Sequence, residues 1–450
     1  MTDYSSLIKA YDIRGEVPAQ LDTGIAERIG ALFVRLTGAS RVVVARDMRA
    51  TSGALASAFA AGVNTAGADV TDAGLGSTDY LYYASGSLDL PGAMITASHN
   101  PAQYNGIKLC RAGASPVGEG TGLEQIRAWL ETDDMPAPAR HPGTTTHLDL
   151  LHRYADHLTS LVQIKPTRPL KVVVDAGNGM AGHTVPAVMT DLPVTLIPLY
   201  FELDGSFPNH EANPLEPKNL VDLQAAVRAS DADIGLAFDG DADRCFFVDE
   251  QGAPVSPSAI VGLVAARELT RHLGAAIVHN VITSAAAVEI IREHGGRPIR
   301  SRVGHSFMKT RMAEHDAVFG GEHSGHYYFR DFWRADTGML TALHVLAALA
   351  EQHRPLSELL APYTRYVSSG EINTTVADVQ AALNDVESAC RGIDGVGIDR
   401  LDGLTVDLGD GRWFNVRPSN TEPLLRLNVE APDENSMAEL RDRVLAIIRA

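Results

Sequence analysis

Short β-branched runs, each followed by an alanine-rich stretch of helical period, recur along most of this chain and restrict its fold more than any other feature. Arg41-Val42-Val43-Val44-Ala45 precedes 51–66, Lys171-Val172-Val173-Val174-Asp175 precedes 181–190, and Ala276-Ile277-Val278 precedes 285–294. Strands that alternate with helices need crossover connections, which give largely parallel sheets covered on both faces. The length of 450 residues suits about three or four domains at roughly 100–200 residues each.

Proline- and glycine-bearing seams divide the chain at Met135-Pro136-Ala137-Pro138 through Gly143, at Asp249-Glu250-Gln251-Gly252, and between Arg354-Pro355 and Pro362. The expected domains are therefore 1–143, 144–251, 252–362 and 363–450. The last changes character: a strand at 369–376, a helix at 378–390, strands at 404–416 and 424–429, and an amphipathic helix at 434–449. The fold class is α/β, with three similar mixed α/β-sheet domains and a smaller α+β domain at the carboxy terminus.

Charge limits the partners. Lys and Arg number 38 against 56 Asp and Glu, a net charge of −18 that repels nucleic acid and anionic membranes and, taken alone, disfavours a phosphorylated substrate as well. Cys110, Cys245 and Cys390 form no disulfide framework, and no apolar leader precedes the first strand. The most apolar stretch, 338–350, is too short to span a bilayer. A cytoplasmic protein is expected.

Four segments carry groups suited to chemistry. Thr96-Ala97-Ser98-His99-Asn100-Pro101 follows the strand Gly92-Ala93-Met94-Ile95, so Ser98 falls at a sheet edge where open α/β sheets bind ligands. A turn in which Ser98 and Asn100 only bond local backbone is the plainer alternative. A serine hydrolase is disfavoured: no G-x-S-x-G elbow exists, and on an extended segment His99 would point away from Ser98. Asp239-Gly240-Asp241-Ala242-Asp243-Arg244 follows the strand Ile234-Gly235-Leu236-Ala237-Phe238. Carboxylates at every second position of an extended chain share a face, repel, and suit a hard cation such as Mg²⁺. An EF-hand is excluded because Arg244 stands where that loop needs glycine.

In Gly320-Gly321-Glu322-His323-Ser324-Gly325-His326, period two would put Glu322, Ser324 and His326 on one face, a donor and acceptor set for vicinal hydroxyls. Arg417-Pro418-Ser419-Asn420-Thr421-Glu422-Pro423 offers a guanidinium, hydroxyls and loop N–H groups to a phosphate, or is simply a capped turn. Arg14 and Lys108 are further cations near strand or loop ends.

One segment per expected domain, in this order, resembles the α-D-phosphohexomutase family over essentially the whole chain. Thr96 to Pro101 is similar to its phosphoserine loop, Asp239 to Arg244 to its metal loop, Gly321 to His326 to its sugar loop, and Arg417 to Thr421 to its phosphate-binding loop. The resemblance implies four domains around a central cleft, with Ser98 phosphorylated in the active form. It implies Mg²⁺ held by Asp239, Asp241, Asp243 and Ser98. Arg14, Lys108, Arg244, His305 and His326 would surround the reacting phosphate, with Lys108 and His326 moving protons. Glu322 and Ser324 would bind sugar hydroxyls, while Arg417, Ser419, Asn420 and Thr421 hold the other phosphate. A hexose 1,6-bisphosphate would be the bound intermediate and a hexose phosphate the substrate.

Two departures bear on substrate choice: His323 at the centre of the sugar loop, and the absence of a lysine in His279-Asn280-Val281-Ile282. The expected reaction is mannose 6-phosphate to mannose 1-phosphate, with glucose phosphates as a second activity. A glucosamine phosphate mutase is the alternative, and a non-catalytic sugar-phosphate binder the remote one.

Overall fold

The computed structural model describes residues 4–165, 167–393, 395–419 and 424–449. They form two compact units, one of residues up to Val255 together with Ser324–Glu358, the other of Ser256–His323 with the segment from Leu359 onward.

The first unit contains a seven-stranded mixed sheet. The β-branched strand Arg41–Arg46 lies parallel to Asp69–Leu75 on one side and to Gly92–Ile95 on the other. Tyr104–Arg111 then returns antiparallel to Gly92–Ile95, and Ile13–Glu16 pairs antiparallel beyond it. Helices Thr23–Thr37 and Ser52–Thr65 pack their apolar faces on this sheet through Ile29, Phe33, Leu55, Phe59 and Val63. A second, four-stranded sheet repeats the plan. Ile234–Phe238 is parallel to Leu170–Asp175 and turns back antiparallel into Cys245–Val248. In both sheets, therefore, a buried parallel strand ends in a short loop and reverses beside itself. The serine segment is one such loop and the aspartate segment the other. The apolar run Gly338–Ala350 is a helix with all 13 residues buried, which is why it is hydrophobic all round without being a membrane span. No helix among the described residues is long and apolar enough to cross a membrane.

In the second unit, Ala276–Asn280 lies parallel to both Arg297–Ser301 and Phe319–Gly321. The carboxy-terminal strands form an antiparallel sheet in the order Val367–Thr375, Leu424–Ala431, Trp413–Pro418, Leu404–Asp407, Gly397–Asp399. Helices Val379–Cys390 and Glu434–Ile448 cover it through Leu383, Val386, Met437, Leu440 and Val444.

One sequence expectation changes here. The single strand expected over 404–416 is a hairpin, Leu404–Asp407 and Trp413–Pro418, reversed by Gly409 and Gly411 at φ +80° and +85°.

Candidate active site

Ser98 sits in the loop closing Gly92–Ile95 onto Tyr104–Arg111, 4% exposed, with its backbone in the left-handed region at φ +51°. A serine held there stores roughly 1–3 kcal/mol of strain, so the surroundings must fix it. They do. Thr96 Oγ1 accepts from the Ser98 N–H at 2.9 Å. The buried Arg49 guanidinium donates to four carbonyls of the loop: Ser98 (2.8 Å), Asn100 (2.6 Å), Pro101 (2.9 Å) and Tyr104 (2.9 Å). Asp47 backs Arg49 at 3.2 Å. Arg49 escaped the sequence reading, although charges in Arg46-Asp47-Met48-Arg49, at the end of a buried strand, were the available signal. Arg49→Ala leaves four carbonyls and Asp47 without their partner, so a loss of about 3–5 kcal/mol in urea unfolding is expected, with Arg49→Lys between it and wild type. An unchanged unfolding midpoint in Arg49→Ala would refute this role.

The aspartates do not lie on an extended chain, as the spacing alone suggested. The loop turns, with the Asp239 carbonyl accepting from Ala242 N–H at 3.0 Å and Ala242 at φ +56°, and the turn brings the three carboxylates together. Oxygens of Asp239, Asp241 and Asp243, all at most 1% exposed, lie within 4.8 Å of one another. Ser98 Oγ donates to Asp239 Oδ2 at 2.9 Å. Lys108, on the returning strand Tyr104–Arg111, places Nζ 2.6 Å from both Asp241 and Asp243. Thr78 Oγ1 donates to Asp241 Oδ2 at 2.6 Å. Arg244 reaches Asp239 through Nε at 2.9 Å.

Burial pushes the Asp239 carboxyl up; Arg244 opposes this and Asp243 and Asp241 reinforce it. Burial would raise Asp241 too, but Lys108 and the hydrogen bonds from Lys108, Thr78 and Ser98 hold it below the ordinary carboxylate range. Burial alone would lower Lys108, yet the same two carboxylates keep it firmly protonated. Asp241 Oδ1 and Asp243 Oδ1 are buried without a hydrogen-bond partner. Three clustered carboxylates, two with a buried oxygen that accepts no hydrogen bond, fit a hard divalent cation bound through oxygen.

His99 is a correction. Because Ser98 is not extended, His99 does not point away: its Nδ1 lies 3.3 Å from Ser98 Oγ and 2.5 Å from an Arg244 terminal nitrogen. Burial, then Arg244 and Arg14, depress its pKa well below the usual value, so the ring is neutral. Accepting from Arg244 places its proton on Nε2. Arg14 joins the same loop by donating to Asn100 Oδ1 at 2.6 Å, and pairs with Asp12.

His326 leads into the strand Tyr327–Phe329, which pairs with Ala335–Asp336. That pairing brings Asp336 Oδ2 within 3.1 Å of His326 Nδ1. Burial alone would lower the imidazole pKa, but Asp336, with Asp243 nearby, raises it. Asp336 and Thr78 also went unnoticed in the sequence, since neither belongs to a motif. Ser98, Lys108, Arg14, Arg244, His326 and the three aspartates thus all belong to the first unit.

The remaining candidates behave differently. A turn at 323–324, with Gly325 at φ +84°, breaks the period-two alternation expected for 322–326. In the second unit Glu322 is 1% exposed, accepting from Asn280 Nδ2 (3.1 Å) and the Gly304 N–H (3.0 Å). Ser324, half-buried, falls in the first unit. His323 Nδ1 bonds Ser258 Oγ at 2.9 Å. His305 opens the helix His305–His315. Arg417 is ion-paired to Glu371 at 2.7 Å, a carboxylate it shares with Arg426. Ser419 closes the hairpin by donating its N–H to the Leu424 carbonyl at 2.9 Å, and Asn420 and Thr421 lie outside the described residues.

Comparison with known proteins matches this chain to four family models, described as phosphoglucomutase/phosphomannomutase alpha/beta/alpha domain I (residues 5–136), domain II (152–252), domain III (256–366) and C-terminal domain (371–447). A phosphomannomutase of Escherichia coli is 40% identical, the match covering 98% of both chains. One of Salmonella typhimurium is 41% identical over 97% of each. A crystal structure of a phosphoglucomutase/phosphomannomutase family protein from Burkholderia thailandensis superposes with a TM-score of 0.90 at 34% identity, over 100% of this chain and 98% of that one.

Proposed function

The chain belongs to the phosphoglucomutase/phosphomannomutase family and is a phosphohexomutase, and on that premise we propose that it interconverts mannose 6-phosphate and mannose 1-phosphate through a phosphoserine at Ser98. The observation that carries the serine mechanism is a strained, buried hydroxyl 2.9 Å from a carboxylate of the cluster, with Lys108 and Arg244 on the same carboxylates. A sugar hydroxyl attacks phosphorus, the bond to Ser98 Oγ breaks, and the hydroxyl proton leaves to a base of the site. The hexose 1,6-bisphosphate so formed turns within the site, and its other phosphoryl group returns to Ser98 Oγ.

Asp239, Asp241, Asp243 and Ser98 would hold Mg²⁺, which when bound supplies charge neutralisation for phosphoryl transfer. The protein's own residues do the rest. Arg14 and Arg244 steady the serine loop and offer guanidinium N–H groups to phosphoryl oxygens. Asp336 fixes the proton of His326 on Nδ1, leaving Nε2 to exchange one with a sugar oxygen, and Lys108 is the second proton-transfer group. His305 lies near the reacting phosphate on this reading. Glu322 and Ser324 take sugar hydroxyls, and Arg417, Ser419, Asn420 and Thr421 take the non-reacting phosphate. Glucose phosphates are a second substrate. Domain boundaries near 143, 251 and 362 accompany this reading, as does a cytoplasmic site, supported by three buried cysteines that form no disulfide among the described residues.

Mass analysis of the purified enzyme is expected to find one covalent phosphate, mapped to Ser98. Comparing kcat/KM for mannose, glucose and glucosamine phosphates is expected to rank mannose first. A preference for glucosamine phosphate would overturn the mannose assignment while leaving the serine mechanism standing.

A further inference from the structure

The second unit encloses a cavity of about 200 Å³ between the carboxy-terminal sheet and the starts of two helices, Pro257–Arg271 and Ala285–Glu293. One wall comes from alternate residues of two paired strands. In the register, Trp413 faces Glu430 and Asn415 faces Asn428. These side chains lie opposite the face that Leu425, Leu427 and Val429 turn into the core. The other wall comes from Ser258 and Ser284. Trp413 Nε1 and the Ala285 N–H both donate to Glu430 Oε1, at 2.7 and 2.9 Å, so the carboxylate ties the sheet to the helix start.

One group in this wall has no internal explanation. Asn428 is 5% exposed and lines the cavity, yet its Nδ2 has no hydrogen-bond partner. Asn415 spends its own Nδ2 on the Asp402 carbonyl and Thr405, and its Oδ1 is also without a partner, so the two carboxamides do not satisfy each other. A buried amide N–H left unmade is costly, and a leucine would fill the same space without that cost.

The cavity's chemistry selects its occupant. No lysine or arginine lines it among the described residues, and Glu430 is a buried carboxylate, so anions, phosphates included, are disfavoured. Burial already raises the Glu430 pKa, and hydrogen bonds from Ser284 and Trp413 resist that rise. Tyr363, Tyr366 and Trp413 supply aromatic surface for C–H groups, while Asn428, Ser258 and Ser284 supply hydroxyl partners. The volume is below the about 300–1,000 Å³ of drug-sized pockets. We propose that this cavity is a binding site for a small neutral polyol, an unphosphorylated sugar or sugar alcohol, held between Asn428 on the sheet and the serine hydroxyls at the helix starts. Because the occupant touches both walls, it clamps the sheet to the helices.

The chain has three tryptophans, so 5-fluorotryptophan labelling gives a resonance for the cavity that is separate from those of Trp129 and Trp333. Titrating the full-length enzyme with D-mannitol is expected to shift the Trp413 signal saturably, leave the other two in place, and raise the thermal midpoint. Asn428→Leu is expected to weaken binding about tenfold or more without lowering the midpoint of the free protein. Asn428→Ser makes the same comparison if the Trp129 and Trp333 signals show that the leucine variant is misfolded. Three results would each overturn the proposal: no saturable shift with D-mannitol or glycerol, equal affinity in a folded Asn428 variant, or a response to tetramethylammonium or inorganic phosphate but not to polyols.

Discussion

Ser98→Ala is expected to lose about 10³-fold or more in kcat for mannose 1-phosphate isomerisation, with no covalent phosphate on the protein and an unfolding midpoint close to wild type. The loss follows from having no substitute oxygen in place. Asp239, Asp241 and Asp243 are engaged by cations and hydrogen bonds, and His99 Nδ1, 3.3 Å from Ser98 Oγ, already accepts from Arg244 through the lone pair that would have to attack. Stability should survive because the loop is held through its backbone by Thr96 and Arg49, and neither contact uses the serine hydroxyl. Near-normal turnover in this variant, or a phosphate still bound covalently elsewhere, would end the serine mechanism.

The second large effect concerns the carboxylate cluster. Chelation is expected to abolish activity, and Mg²⁺ to restore it. Without metal, Lys108 and Arg244 are the cations that compensate three buried carboxylates. Lys108→Met should therefore cost about 3–5 kcal/mol in metal-free buffer, the typical result of leaving one side of a buried pair uncompensated. Mg²⁺ should return part of it, giving a larger metal-induced rise in thermal midpoint than wild type shows. Asp241→Asn should shrink that rise. A metal-induced rise of the same size in wild type, Lys108→Met and Asp241→Asn would remove the cluster as the metal site.

What the sequence disclosed and what it hid divide along physical lines. β-Branched runs followed by alanine-rich stretches identified Arg41–Arg46, Leu170–Asp175 and Ala276–Asn280 with their helices, because burial on both faces leaves a strong pattern. The aspartate spacing pointed to a cluster, but through the wrong geometry. Alternation on an extended chain and convergence in a turn give the same spacing, and only the positive φ of Ala242 separates them. The positive φ of Ser98 likewise turned His99 from a residue pointing away into a neighbour. Thr78 and Asp336 act through partners 163 and 10 positions away, so no local motif could announce them, while Arg49, whose loop carbonyls begin 49 positions on, was marked only by the charges at the end of its buried strand. The Gly409-Asp410-Gly411 turn was legible and was missed because the apolar residues on both sides read as one run.

The net charge of −18, which first argued against a phosphorylated substrate, describes the whole surface and not the site. Arg14, Lys108, Arg49 and Arg244 gather within one unit around the serine and aspartate loops, so the local field is set by cations against carboxylates that a metal would neutralise.

The two reversing loops also meet at one point. A Cβ on Gly240 would come within 2.4 Å of the Ser98 carbonyl oxygen, closer than any side chain tolerates. The spacing between the serine loop and the aspartate loop is therefore a main-chain dimension at this point, gauged by the thickness of a glycine. Any larger residue at position 240 would have to part the two loops, whatever the side chains around them do.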